Sequence, residues 1–213
     1  LGQWLTAVEG AKENWQVHVP QSIVDVFEDF ASVRVDDALQ LNTELRFHLA
    51  TDVHRFVAML LDETGGDAAN LAANLDRSGY HLRITRDLDV ARDYLRGRYE
   101  SDPGARFGMI ASARDRSLPT FGIPNDFQAT KQINNGPWFG EGDEDPQGRS
   151  CRELRQCVTE FGCQGLELDA SLLGWGTDFI REDGQWTNKF ARKYQQSGAI
   201  RDALQLRRNA YRV

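Results

Sequence analysis

Segments with a two-residue apolar period alternate with segments of helical period along most of this chain, and that alternation narrows the folds open to it. Val53, Phe56, Val57, Leu60 and Leu61 form one helical stripe, with Thr51 and Asp52 placed to cap it. "ARFGMIAS" (105–112) is the pattern of a buried strand. Helices are read at 2–13, 20–30, 52–62, 67–79, 87–100 and from Ser197 onward. Strands are read at 15–20, 38–47, 80–85, 105–112, 155–161 and 166–175. Strands interleaved with helices predict an α/β fold, a parallel sheet with helices on both faces. In such sheets ligands meet the loops beyond the carboxyl ends of the strands.

The 213 residues suit a single domain spanning 1–213 with an insertion inside it. Pro119, Pro124, Pro137 and Pro146 break all periodicity between 114 and 150, so that stretch is expected to be a long irregular insertion. Its acidic "GEGDEDPQG" reads as a solvated, mobile tip, because Asp143, Glu144 and Asp145 lack the spacing of a calcium loop.

A net charge of −7 argues against coating nucleic acid by bulk charge, and leaves room for a local basic stripe. No run approaches the ~18 apolar residues of a membrane span, and no signal peptide is visible, so no membrane partner is expected. Cys151, Cys157 and Cys163 fit no common zinc spacing. They are expected to be free thiols in a reducing cytoplasm, with no metal bound. Cys163 as a nucleophile with a histidine base has no spacing to support it.

The segment "TEFGCQGLELD" (159–169) departs from ordinary strand composition. Gly162 and Gly165 permit a tight turn and close approach of a ligand. Thr159 can bond a phosphate or a backbone group, Gln164 both donates and accepts, and Glu167 is an acceptor suited to sugar hydroxyls. The same residues also fit a polar turn between two strands, with Glu167 and Asp169 facing solvent. No G-x-x-x-x-G-K-[ST] loop occurs in the sequence, so the chain alone lacks the usual cradle for a triphosphate. Trp138 in "GPWF" and Trp175 in "LLGWG" fall in loops, where an aromatic ring can stack on a base, while burial against the sheet is the commoner fate of the chain's tryptophans.

Thr159, Gln164, Gly165, Leu166 and Glu167 resemble motif V of superfamily 1 helicases without a gap in register. "LNTELRF" is similar to motif IV, and "LRRNAYRV" to the lead-in of motif VI, in the correct order. With "GQWLTAVEGAKENWQVHVP" and "GLELDASLLGWGTDFI", essentially the whole chain resembles the C-terminal part of the Schlafen group 3-like DNA/RNA helicase domains. The resemblance implies a RecA-like second motor domain of the P-loop NTPase class, cut from a longer protein. Its partners would be an N-terminal RecA-like domain of the same protein, which supplies the phosphate loop, and single-stranded DNA or RNA. ATP and Mg would be bound only by the full-length protein, and the isolated chain is expected to be inactive.

Residue by residue, the resemblance makes Arg46 the catalytic arginine at the γ-phosphate. Glu167, with Gln164 and Gly165, would hold the nucleotide, Glu167 at the ribose. Thr159 and Gly162 would face the nucleic-acid backbone. Trp175, chosen for its loop position and not from the resemblance, is the candidate to stack on the bases there. Phe161 stands where the family often has histidine. Arg207, Arg208 and Arg212 read as surface ion pairs or phosphate contacts. Two other functions remain open: a non-hydrolysing binding or regulatory module on the same fold, and the motor part of a nuclease or restriction system.

Overall fold

The computed structural model describes residues 2–11, 15–27, 32–40, 51–62, 65–192 and 203–212. The chain divides into two compact units, Leu1–Thr51 and Asp52–Val213. The first carries α1 (Gly2–Glu9) and two short parallel strands, β1 (Val17–Val19) and β2 (Val33–Val35), with Val17 opposite Val33. β1 stops at Pro20, which has no N–H for a ladder. The following Gln21–Phe27 segment is a 3₁₀ helix, not the expected α-helix. A 3₁₀ turn at Asp37–Leu39, capped by Asp36 on the Ala38 N–H at 3.0 Å, occupies the start of the strand expected at 38–47. The rest of that strand, with Arg46, lies outside the described residues, as does the start of the helix read from Ser197.

The second unit opens with α2 (Thr51–Leu61), α3 (Gly65–Arg77) and α4 (Leu88–Arg98). Asp87 caps α4 by accepting from the Asp89 and Val90 N–H groups at 2.9 and 3.2 Å. No strand forms at 80–85, against the sequence pattern. Ile84 there is 99% exposed, and Asp76 on α3 draws back His81 and Arg83 at 2.9 and 2.7 Å. Alternation alone does not make a strand where no neighbour completes the ladder.

The sheet consists of β3 (Phe107–Ala111), β4 (Cys157–Thr159) and β5 (Ala170–Gly174), all parallel, in the order β4–β3–β5. Between β3 and β4 come α5 (Phe127–Lys131) and α6 (Asn135–Gly140), capped by Asp126 and Asn134. One sheet face presents Phe107, Met109 and Ala111 to Leu95 of α4 and to Leu118, Ile123 and Leu154. The other packs Val158 against Trp138 of α6, Cys151 and Cys163, with Ile110 partly buried beside them. The period of two along β3 divides the core into these halves. The chain is thus a mixed α/β protein with parallel sheets and helices.

The insertion at 114–150 includes part of this core. Trp138 is fully buried, so it is not a surface stacking residue. Burying an indole of ~150–250 Å² contributes about 4–6 kcal/mol, offset by ~1–3 kcal/mol for its Nε1–H, which is buried without a hydrogen-bond partner among the described residues. The acidic turn is also anchored. The Asp145 side chain is only 2% exposed and accepts from the Arg149 N–H at 2.7 Å, Nε at 3.1 Å and Nη2 at 3.0 Å. The Arg149 guanidinium holds the Asp145 pKa at about 2. Asp143 pairs with Arg152 Nε at 2.6 Å. The tip is solvated as composition suggested, with Glu141, Asp143, Glu144, Pro146 and Gln147 exposed, and these pairs tie it down.

Gly108 lets Trp138 lie flat on the sheet. A Cβ there would sit 2.7 Å from Trp138 Cζ2 and 3.1 Å from the Cys151 Cβ. Gly108→Ala is therefore expected to cost about 1–3 kcal/mol, the usual penalty of overpacking. Urea unfolding followed by tryptophan fluorescence would measure it, and an unchanged midpoint would contradict this packing.

Beyond β5, β6 (Ile180–Glu182) and β7 (Gln185–Thr187) form an antiparallel hairpin. Asp183 and Gly184 turn it with φ of 48° and 81°. Asp-Gly is the preferred pair for such a two-residue turn, so "REDGQ" carried a local signal for a hairpin that the strand-and-helix pattern had passed over. The described chain ends with α7 (Ala203–Ala210) and residues 211–212.

Candidate functional site

Ala111 is paired with Thr159 on one side and with Gly174 on the other. The three residues form one row at the carboxyl ends of the strands. Ser112, Glu160 and Trp175 are the next residues out, so three loops begin side by side, strands about 4.8 Å apart.

Thr159 is buried at 8% exposure, and its carbonyl accepts from the Gly162 and Cys163 N–H groups at 2.8 and 3.0 Å. The chain therefore turns at once. Gly162 lies in that turn, where a Cβ would come within 3.3 Å of the Val158 Cβ. Gly165 has φ of 81° with open space around it, so its backbone can be approached closely. Gln164 and Glu167 are exposed. The segment then returns across the sheet, with Leu166 and Leu168 packing near Trp138. It ends at the amino side of β3. There the Asp169 N–H donates to the Arg106 carbonyl at 2.7 Å, and the Asp169 carboxylate accepts the Arg106 N–H at 2.7 Å.

The sequence-read residues are thus divided in space. Thr159 and Gly162 stand at the carboxyl ends of the strands, with Trp175 beyond β5, on the far side of β3 from Thr159. Glu167 sits two residues before Asp169, toward the opposite end, and Gln164 and Gly165 lie on the path between. Residues 159–169 contain no Lys or Arg, so phosphates meeting this segment need cations from elsewhere.

A group the sequence did not single out sits beneath these loops. Arg207 of α7 is 2% exposed. Its Nη1 and Nη2 each lie 3.2 Å from Glu160 Oε1. Nη1 also lies 2.8 Å from Ser112 Oγ and 3.5 Å from Asp178 Oδ2. The surface role expected for Arg207 does not hold, because its partners are buried loop residues. Arg212 does keep a surface pair, 2.5 Å from Asp62, and Arg208 approaches the same carboxylate at 3.9 Å. Glu160 Oε2 accepts the Ala113 N–H at 2.7 Å, and the Ser112 hydroxyl donates to Asp178. The Tyr211 hydroxyl donates to Asp178 Oδ1 at 2.7 Å. Burial, and then the Asp178 charge, push the Tyr211 pKa up.

Asp115 joins the loops after β3 and β5. One oxygen accepts the Ser117 and Leu118 N–H groups at 2.7 and 2.8 Å and the Ser117 hydroxyl at 2.8 Å. The other accepts the N–H groups of Thr177 and Asp178, the latter at 2.9 Å, and the Thr177 hydroxyl at 3.1 Å. Burial alone would raise its pKa, but these donors together outweigh burial and hold it below the ordinary value. A Cβ at Gly176 would overlap this carboxylate, which explains the glycine in "GWGTD".

Trp175 is 37% exposed. Its ring stacks on Tyr211 at 4.3 Å between centroids, and its Nε1 donates to the Phe179 carbonyl at 2.7 Å. Phe179 stacks on Trp186 at 4.4 Å. Trp175 is thus one of four rings packed together, 5.7 Å from Trp186 and 6.2 Å from Phe179 as well, and part of it stays exposed. Phe161 is 65% exposed beside the buried Glu160.

The three cysteines are buried as free thiols. Burial raises the Cys157 pKa to about 12 and raises that of Cys163, so neither thiol is activated for attack. Among the described residues, no group of three or more His, Cys, Asp or Glu side chains is placed to hold a metal ion. Nor is any described helix long and apolar enough to cross a membrane.

Parallel strands with polar loops at their carboxyl ends define an α/β protein of the kind that meets ligands at that end. Compared with protein families, residues 3–213 match Schlafen group 3, DNA/RNA helicase domain, and the chain belongs to that family. Its role is accordingly helicase-like. Neither the comparison with curated proteins nor that with solved structures returned a match.

Proposed function

We propose that this chain is the second, RecA-like motor domain of an ATP-dependent helicase or translocase acting on single-stranded DNA or RNA. ATP and Mg would lie between it and a phosphate-loop domain of the same protein. The observation that carries this reading is the position of "TEFGCQGLELD" in a helicase-family chain: it leaves the carboxyl end of a parallel strand and exposes Gln164 and Glu167. On this reading Thr159, Gly162 and Trp175 meet the nucleic acid, and Glu167, Gln164 and Gly165 meet the nucleotide. The chain's own contribution is to orient the ribose and to track the strand. The phosphates and the metal would be held by the other domain.

The full-length protein carrying this chain is expected to hydrolyse ATP faster when single-stranded nucleic acid is added. Glu167→Ala removes an acceptor that, as a charged partner, is worth ~1.5–3 kcal/mol, so KM for ATP should rise by roughly 10–100-fold. Steady-state hydrolysis with and without oligonucleotide would test both statements. Tight nucleic-acid binding without any hydrolysis would replace the motor by a non-hydrolysing binding module.

A further inference from the structure

We propose that Arg207 is a positioning residue that couples the nucleic-acid loop after β4 to ATP turnover, through its buried ion pair with Glu160. This rests on the motor reading above. Three observations support it.

The first is connectivity. Glu160 lies between Thr159, which ends β4, and Phe161, which is 65% exposed. Its carboxylate points inward, taking the Arg207 fork on Oε1 and the Ala113 N–H on Oε2. A ligand that displaces Thr159, Phe161 or Gly162 must therefore move Glu160, and Glu160 cannot move without Arg207 or the loop after β3.

The second is reach. Arg207 also meets Ser112 and Asp178, and Tyr211, a turn further along, holds the other oxygen of Asp178. One short helix thus engages the loops after all three strands of the sheet. A shift of the β4 loop is delivered to α7 and to the β5 loop that carries Trp175.

The third is energetic. Two carboxylates and one guanidinium, each no more than 6% exposed, are costly to desolvate. Buried ion pairs often stabilise no better than apolar groups of equal volume, so stability alone is a weak reason for this arrangement. A planar guanidinium fork does fix direction, which an apolar contact does not. Register between loops is the property such a group supplies.

The test uses the full-length protein. Wild type, Arg207→Lys and Glu160→Gln are compared by ATP hydrolysis with and without an oligothymidine strand, by strand binding in fluorescence anisotropy, and by Tm. Arg207→Lys keeps the charge and loses the fork. Both variants are expected to lose about 10-fold or more of the nucleic-acid stimulation of kcat, with KM for ATP within about 2-fold of wild type. A third variant, Glu160→Met with Arg207→Met, replaces the pair by apolar groups. It should recover Tm and not recover stimulation.

If both single variants keep wild-type stimulation, the coupling role is wrong and the motor reading stands. If stimulation returns with Tm in the double-methionine variant, the pair is merely structural. If the wild-type protein shows no nucleic-acid-stimulated hydrolysis at all, the motor reading fails and takes this proposal with it.

Discussion

Asp115→Ala is expected to destabilise the chain by about 3–5 kcal/mol, because it leaves several buried donors without an acceptor at ~1–3 kcal/mol each. Four backbone N–H groups and two hydroxyls converge on this one carboxylate. They come from two loops about 60 residues apart in sequence, at Ser117–Leu118 and Thr177–Asp178. With an m-value near 2 kcal/mol/M, the urea midpoint should fall by roughly 2 M. Asp115→Asn should cost less, since one oxygen remains, but its amide would point a donor at other donors. The effect also has a pH signature. The folded pKa lies below the ordinary value, so the stabilisation is complete above about pH 4 and is lost as pH falls through the folded pKa. The gap in urea midpoint between wild type and Asp115→Asn should therefore shrink below about pH 4. A midpoint for Asp115→Ala within experimental error of wild type would mean the carboxylate does not tie the two loops together.

The contrast between Asp115 and Glu167 shows what the sequence could and could not reveal. The family was legible around Glu167 because that signal is local: Gln164, Gly165, Leu166 and Glu167 make a motif within four residues. The strands β3, β4 and β5 were legible for the same reason, since each has its own apolar period. Asp115 lay in a stretch that proline content marked as irregular, and its second set of donors is 62–63 residues away. Arg207 was visible only as one of several arginines on a polar helix, and its partner Glu160 is 47 residues away. Pairings over such separations leave no periodicity to detect. The failed strand at 80–85 is the reverse case, a local pattern with no neighbouring strand to satisfy it. Trp138 erred for a related reason. Its neighbours in "GPWF", Gly136 and Pro137, suggested a loop, whereas Gly108, on a distant strand, had left space for the ring.

The largest expected effect on activity belongs to Arg46, which lies outside the described residues and is assigned from the motif IV resemblance alone. On the motor reading proposed above, Arg46→Ala in the full-length protein should lower the kcat for ATP hydrolysis by about 10³-fold or more, the scale of a lost arginine finger. The reason is the charge that develops on the transferred phosphoryl group, which an arginine stabilises more strongly in the transition state than in bound ATP. KM for ATP should therefore change far less than kcat. Arg46→Lys keeps a positive charge and loses the planar fork, so it should fall between alanine and wild type. Arg34→Ala is the internal control. Arg34 is an exposed residue on β2 of the same unit, and its loss should leave kcat unchanged, as surface charges contribute only ~0–1 kcal/mol. Equal losses in KM and kcat/KM with kcat preserved would make Arg46 a binding residue. Turnover within about 10-fold of wild type for Arg46→Ala would remove it from the phosphate site altogether. It would then leave the segment 159–169 and the pair Arg207–Glu160 as the chain's remaining links to the motor.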